Sequence, residues 1–337
     1  MNTDRIREGF ERRGWRYPLG RKPHCVKHII SHANCPDGYA SAMILGQAFQ
    51  DARRTFHHYN DGTLPEPAEG QVFVDFSPPP EKARAYLDAG AFVLDHHKGA
   101  AEVTRVFEGA GQGLYADNEG DEHGVSGAML ALLALPEGHE THARRYFARL
   151  IGVRDTWQRG DEGWEEACQI ASALIFRGPP ATMRGLGEDV DWDLIESLVK
   201  IGTLVQAERK RLVQNAVDHA FIGTTPAGTV FAVFDGYSLS SDAAEKLDAD
   251  LVCGLVTHAT PGKIVVRCSC RTRKGYQVLK LAKAYGGGGH ENAAGFTLGS
   301  GAKHPMDMRH PFYAFQRALE AWEETSKFAW LDGRAKP

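Results

Sequence analysis

Three stretches of the chain close apolar runs with residues able to bind a divalent cation. His32 and Asp37 follow a run at 26–31, Asp75 lies at the end of a run at 71–76, and Asp95-His96-His97 follows a run at 91–94. Any one of these could simply be the polar end of a strand. Converging at one sheet edge, however, carboxylates and imidazoles need a cation among them, and mixed oxygen and nitrogen donors suit Mn²⁺, Mg²⁺ or Fe²⁺ over a thiolate-seeking metal. A carboxylate shared by two such ions makes the clamp used for in-line attack on phosphorus.

A second feature points to phosphate. In Gly286-Gly287-Gly288-Gly289-His290, consecutive glycines let backbone N–H groups approach an anion without side-chain clash. The spacing fits neither the phosphate loop G-x-x-x-x-G-K-[ST] nor the dinucleotide fingerprint G-x-G-x-x-G. A flexible turn is the plainer alternative. The nearby Arg271 can grip phosphate through a bidentate fork, and His290 can donate to a non-bridging oxygen. Arg273 and Lys274 read as solvated charges.

The elements that must position these residues alternate in type. Strand-like patterns at 26–31, 55–59, 71–76 and 91–94 are separated by helical ones at 39–49 and 81–89, which predicts a mainly parallel sheet with helices on both faces and a site beyond the carboxyl ends of its strands. Two helices split at Pro136, another at 164–176 and a long one from 192 to 220 follow. Beyond the breaker-rich Arg177-Gly178-Pro179-Pro180 and Gly185-Leu186-Gly187, the mixture of strands and helices forms a smaller unit. The fold class is α/β: a mainly parallel domain at 23–190, a linker helix at 191–220 and a smaller mixed α/β domain at 221–302. A 1–22 arm and a 303–337 C-terminal helix and tail flank them. The glycine-rich stretch 109–113 reads as a loop. His57 and His58 occupy adjacent strand positions and face opposite sides, so they do not both line one pocket.

In this order the motifs resemble the DHH phosphoesterases. The resemblance rests on Ser31-His32-Ala33-Asn34-Cys35-Pro36-Asp37-Gly38, on Val74-Asp75-Phe76-Ser77, on Asp95-His96-His97 and on Asp155 in Gly152-Val153-Arg154-Asp155-Thr156. Residues 286–295 are similar to the GGGH signature of the DHH-associated C-terminal domain, and Cys268-Ser269-Cys270-Arg271 to the strand carrying its substrate arginine. The likeness spans about residues 26 to 300. It implies metal ligation by His32, Asp37, Asp75, Asp95, His96 and Asp155, with Asp75 bridging two Mn²⁺ ions, or Mg²⁺ or Fe²⁺ in their place. It implies catalytic roles for Asp75, Asp95, His96 and His97. Substrate binding would fall to Arg271, Gly287, Gly288, Gly289 and His290. The usual first motif supplies two aspartates where this chain has one. Asn34 is either a neutral replacement ligand or a turn residue; Cys35 is the less favoured ligand, because a thiolate would select a softer metal.

The activity so implied is metal-dependent hydrolysis of phosphodiesters in short oligonucleotides or small nucleotides, of the nano-RNase, pAp-phosphatase or cyclic-nucleotide type, by two-metal attack of hydroxide on phosphorus. A RecJ-like single-strand exonuclease and a degenerate nucleotide-binding regulator are the alternatives. The implied partners are a short RNA or DNA oligonucleotide or a small nucleotide, with a homodimer as an option and no membrane.

Composition sets limits around this reading. Of 337 residues, 42% are hydrophobic and 24% charged, the balance of a folded protein. Lys+Arg 39 against Asp+Glu 43 gives a net charge of −4, which argues against holding long nucleic acid mainly by phosphate neutralisation. The absence of a signal or long apolar run predicts a cytoplasmic protein, and six cysteines without CxxC spacing read as reduced thiols, Cys268 and Cys270 as packing residues.

Overall fold

A computed structural model describes residues 3–12, 26–59, 62–117, 124–136, 138–179, 189–260, 263–299 and 310–326. Most of the N-terminal arm, the breaker stretch at 185–187 and much of the C-terminal tail therefore lie outside the described residues. The chain forms two compact units, Met1–Ala207 and Glu208–Pro337.

The first unit contains α1 (Thr3–Arg12), β1 (His28–His32), α2 (Pro36–Ala48), β2 (Arg53–His57), β3 (Gln71–Val74), α3 (Pro80–Asp88), β4 (Phe92–Asp95), α4 (Ala101–Gly109), β5 (Gly113–Tyr115), α5 (Gly127–Leu133), α6 (His142–Asp155) and α7 (Trp164–Arg177). The long α8 (Trp192–Asp218) carries the boundary between the units. The five strands are all parallel, in the order β2-β1-β3-β4-β5.

Period-two alternation sends side chains to opposite faces. Ile29, Val72, Val74, Leu94 and Leu114 join the larger core with α2, α5, α6, α7 and the start of α8. Ile30, Phe73 and Val93 face the other way, onto Tyr86 of α3 and Val103 and Phe107 of α4. The predicted parallel sheet with helices on both faces is what the chain adopts. The loop expected at 109–113 is present but confined to 110–112, since Gly109 closes α4 and Gly113 opens β5. A three-residue strand is too short to show alternation, so sequence periodicity does not reveal it.

The second unit holds β6 (Phe221–Thr224), β7 (Val230–Asp235), α9 (Ser240–Ala244), β8 (Leu251–Thr260), β9 (Lys263–Arg271), α10 (Val278–Ala284), β10 (Gly288–His290), β11 (Ala293–Gly299) and α11 (Pro311–Thr325). Its six-stranded sheet runs β10-β11-β9-β8-β7-β6; β7 and β8 are parallel and every other pair antiparallel. The parallel pair needs a crossover, which α9 and the short turn before it supply. Cys253, Cys268 and Cys270 are fully buried among Phe231, Leu255, Phe315 and Trp322, and Cys253 and Cys270 sit opposite each other with Sγ atoms 3.4 Å apart. Among the described residues no helix is long and apolar enough to cross a membrane.

Candidate metal centre

The parallel sheet delivers its strand ends to one edge, and that edge is where the ionisable residues collect. His32 is the last residue of β1. The chain then reverses through Asn34, which adopts the left-handed region at φ 54°, a conformation asparagine tolerates better than most residues. Pro36 opens α2 with its φ already suited to a helix, and Asp37 sits in the first turn. Asp75 follows β3 at φ 53°, an uncommon backbone state for a non-glycine residue, of the kind that clusters at functional sites. Its amide still pairs with the Leu94 carbonyl at 2.9 Å. Asp95 ends β4 and Asp155 ends α6.

These side chains converge. His96 Nε2 lies 3.1 Å from Asp75 Oδ1, 3.4 Å from Asp37 Oδ2 and 3.5 Å from Asp155 Oδ2. His32 Nδ1 lies 3.7 Å from Asp75 Oδ2. Three groups have ligand atoms mutually within 4.8 Å: His32 with Cys35 and Asp75, Asp75 with His96 and His97, and Asp37 with His96 and Asp155. Asp75 is common to the first two and His96 to the last two. Asp75 is fully buried, yet its Oδ2 has no hydrogen-bond partner among the described residues, and neither has His32 Nδ1. A buried carboxylate oxygen left without a donor is costly, and a cation at that point removes the cost. The residues therefore fit a divalent ion on donor chemistry and on an orphaned atom alike.

Helix α5 shapes the same centre from behind. The Asp37 carboxylate accepts from the Gly127 amide at 2.6 Å and the Ala128 amide at 2.7 Å, so it rests on the positive end of that helix. A Cβ at Gly127 would stand 2.4 Å from the Asp75 Cβ and 3.0 Å from Asp37 Oδ2; only glycine lets the helix come this near.

Asp95 enters none of the three groups. Its Oδ1 accepts from the backbone amides of His96 at 2.8 Å and His97 at 3.0 Å and lies 2.7 Å from His97 Nδ1, while Oδ2 accepts from Ser77 at 2.5 Å. The aspartate orients His97 and the turn after β4. Asn34 likewise spends its side chain elsewhere: its Oδ1 accepts from the Tyr39 hydroxyl at 3.4 Å and its Nδ2 lies 3.4 Å from His58 Nε2.

Electrostatics follow from this crowding. Burial pushes the Asp37 carboxyl up, the Asp75 charge adds to it, and His96 and the Ala128 amide oppose. Burial would likewise raise Asp75, but the His32 and His96 contacts outweigh it and hold the carboxyl low. Desolvation opposes a charged His96, yet Asp37 and Asp75 overcome it and raise its pKa. His97 is raised in the same way, burial being outweighed by Asp95. Burial and the charge of Asp37 push Asp155 up to about 7. The Cys35 thiol is pushed up by burial and then by Asp75 and Asp37.

Several residues here escape a sequence reading. His58 is the member of the His57-His58 pair that comes near, with its ring 6.5 Å from that of His32. Tyr59, 44% exposed, brings its ring to 5.1 Å from His32 and 5.7 Å from His97. Both follow β2, the neighbour of β1, and the shared sheet edge is the signal that could have flagged them.

The second unit holds the remaining expected residues. Arg271 ends β9, where its Nε donates to Ser241 at 2.9 Å and its Nη1 to the Cys270 carbonyl at 2.8 Å and Ser269 at 3.2 Å. The glycine run is neither a flexible turn nor wholly free loop: Gly288 to His290 form edge strand β10 on β11. A Cβ at Gly287 would meet the Gly295 carbonyl at 2.1 Å, and one at Gly289 the Ala293 carbonyl at 2.5 Å. Close strand packing thus explains glycine at both positions, whether or not an anion binds.

Residues 238–309 match the DHHA1 domain. No curated protein matches the chain in sequence. Among solved structures, the DHH domain of a member of the s1p family of ribosomal proteins is similar at 16% identity and a TM-score of 0.48, covering 88% of this chain and 87% of that one. A pGpG-specific phosphodiesterase from Vibrio cholerae is similar at 13% identity and a TM-score of 0.40, covering 88% and 99%. CDC45 from Entamoeba histolytica is similar at 9% identity and a TM-score of 0.45, covering 95% and 99%. The DHHA1 match lies in the second unit, behind the ordered histidine and aspartate motifs of the first. The first unit carries clusters able to bind metal.

Proposed function

We propose that the chain is a metal-dependent phosphodiesterase acting on short oligonucleotides or small nucleotide phosphoesters, of the nano-RNase, pAp-phosphatase or cyclic-nucleotide type. The observation that carries this reading is Asp75: fully buried, common to two candidate ligand groups and left with an orphaned oxygen. His32, Asp37, Asp75, His96 and Asp155 would hold the ions, with Mn²⁺ suited to the oxygen and nitrogen donors of Asp37, His96 and Asp155. Bound there, divalent ions supply Lewis acidity toward phosphate oxygens and lower the pKa of water to give a nucleophile near neutral pH.

The protein's own groups do the rest. Asp95 accepts from His97 Nδ1, which fixes the ring and leaves Nε2 as the nitrogen able to donate to a phosphate oxygen. In the second unit Arg271 is the candidate phosphate fork, pre-oriented by Ser241, Ser269 and the Cys270 carbonyl.

The direct test is hydrolysis of a 5′-phosphorylated RNA dinucleotide with Mn²⁺, run beside an Asp75→Asn variant and a chelated sample. Release of mononucleotides that disappears in both controls supports the proposal. Degradation of long single strands at equal efficiency would instead favour a RecJ-like exonuclease. Nucleotide binding without turnover in the metal-loaded protein would favour a regulator.

A further inference from the structure

We propose that the Cys35 thiolate completes the ion group of His32 and Asp75, so that this position takes a borderline ion such as Fe²⁺, Co²⁺ or Zn²⁺ in preference to Mn²⁺ or Mg²⁺. The inference deepens the function proposed above and rests on it.

Cys35 Sγ, a nitrogen of His32 and an oxygen of Asp75 lie mutually within 4.8 Å. The two partners are unsatisfied: Asp75 Oδ2 is fully buried and His32 Nδ1 is buried, and neither has a hydrogen-bond partner among the described residues. His32 Nδ1 faces that oxygen at 3.7 Å, too far for a hydrogen bond, and a cation between the two would satisfy both.

Cys35 is the N-cap of α2, with extended backbone at φ −123° and ψ 127°, yet its side chain makes no capping hydrogen bond. Ser, Thr, Asp and Asn are the residues that best serve a helix start, so the approach of the Gly38 amide to the thiol is a weak reason for cysteine here. Asn34, the other candidate for a ligand, turns its oxygen toward the Tyr39 hydroxyl and its nitrogen toward His58.

Charge and donor softness then set the ion. Ligation releases the thiol proton to solvent and leaves a negative sulfur, with no change of oxidation state. One thiolate, one carboxylate and one imidazole match Fe²⁺, Co²⁺ and Zn²⁺ better than ions that favour all-oxygen shells. The group of Asp37, His96 and Asp155 has no sulfur. The centre therefore pairs two positions of unlike preference, joined through Asp75 and His96.

Cobalt reports on this directly, because a cobalt–thiolate bond adds an intense ligand-to-metal charge-transfer absorption in the near ultraviolet. Metal-free protein kept reduced is titrated with Co²⁺, and bound metal is measured separately. The expected result is that absorption in the native sequence, its loss in Cys35→Ser, and in Cys35→Asp its loss with retained metal content and a preference shifted from Zn²⁺ toward Mn²⁺ in competition. Cobalt bound at full stoichiometry without the absorption would overturn the thiolate ligand while leaving the metal-dependent phosphodiesterase standing. So would an absorption that survives in Cys35→Ser, since another of the six cysteines would then be its source. Failure of the native sequence to bind cobalt at all would overturn both.

Discussion

Asp75 combines a left-handed backbone, complete burial and an oxygen without a donor. Asparagine tolerates the same backbone region, so Asp75→Asn should fold with an unchanged circular dichroism spectrum while metal content falls and turnover drops by more than about 100-fold. Ser77 acts one step removed: it donates to Asp95, which in turn holds His97. Ser77→Ala should cost about 10-fold in kcat with little change in metal content, the pattern of lost support for a working group. At Asn34, whose side chain answers Tyr39 and His58, substitution to Asp should leave metal affinity nearly unchanged by calorimetry; tighter binding would make it a ligand. His28 is a separate case, at the start of β1. Burial, with the charges of Arg53 and His57, lowers its pKa from 6.5 to about 4. The unfolded chain therefore takes a proton near pH 6.5 that the fold resists until about 4, so the stability involved is full above 6.5 and is lost as pH falls through that window. Its ring is half-exposed and screened, so His28→Gln should flatten this acid limb by only about 1 kcal/mol in denaturant titrations between those pH values.

At the scale of elements, the site depends on how closely helices approach. The start of α5 touches both Asp37 and Asp75 because residue 127 is glycine. Gly127→Ala should destabilise the first unit by about 1–3 kcal/mol in thermal unfolding and weaken metal binding at the same time. Helix α8 approaches α7 as tightly: a Cβ at Gly202 would stand 1.9 Å from the Gln169 carbonyl. Gly202→Ala should therefore destabilise by a similar amount but leave the metal affinity of the folded protein unchanged. These contrasts also show what was legible in sequence. Strands β1, β3 and β4 and the residues closing them could be read, because apolar runs and helical periods alternate there. The seat of Asp37 on α5 could not, since the two amides stand 90 and 91 residues away and nothing local announces them. Strands β5, β6 and β10 escape such a reading because each is short and broken by glycine, where β3 and β4 are unbroken apolar runs. Residue type alone makes Cys35 the less favoured ligand, on the softness of the metal it would select; its place beside His32 and Asp75 is a fact of packing that residue type does not convey.

For the whole molecule, the two units have separate apolar cores. Among the described residues all candidate ion groups lie in the first unit, and a ligand that binds only the native state stabilises what it binds, by about 2.7 kcal/mol at a hundredfold excess over Kd. Metal addition should accordingly slow hydrogen exchange in β3, α2 and α5, and leave β9 and β11 little changed; equal protection of both sheets would mean that the ions stabilise the chain as one cooperative block. The clasp between Asp37 and α5 has a consequence in time as well. Every donor, and the helix that seats one of them, is encoded between residues 32 and 155. As the chain leaves the ribosome, the last piece needed for ion capture is Asp155, long before the second sheet has been synthesised. Domains generally fold as units during synthesis, and the first core also needs α7 and the start of α8, so an ion captured once these have emerged would stabilise the first unit before the second sheet is complete.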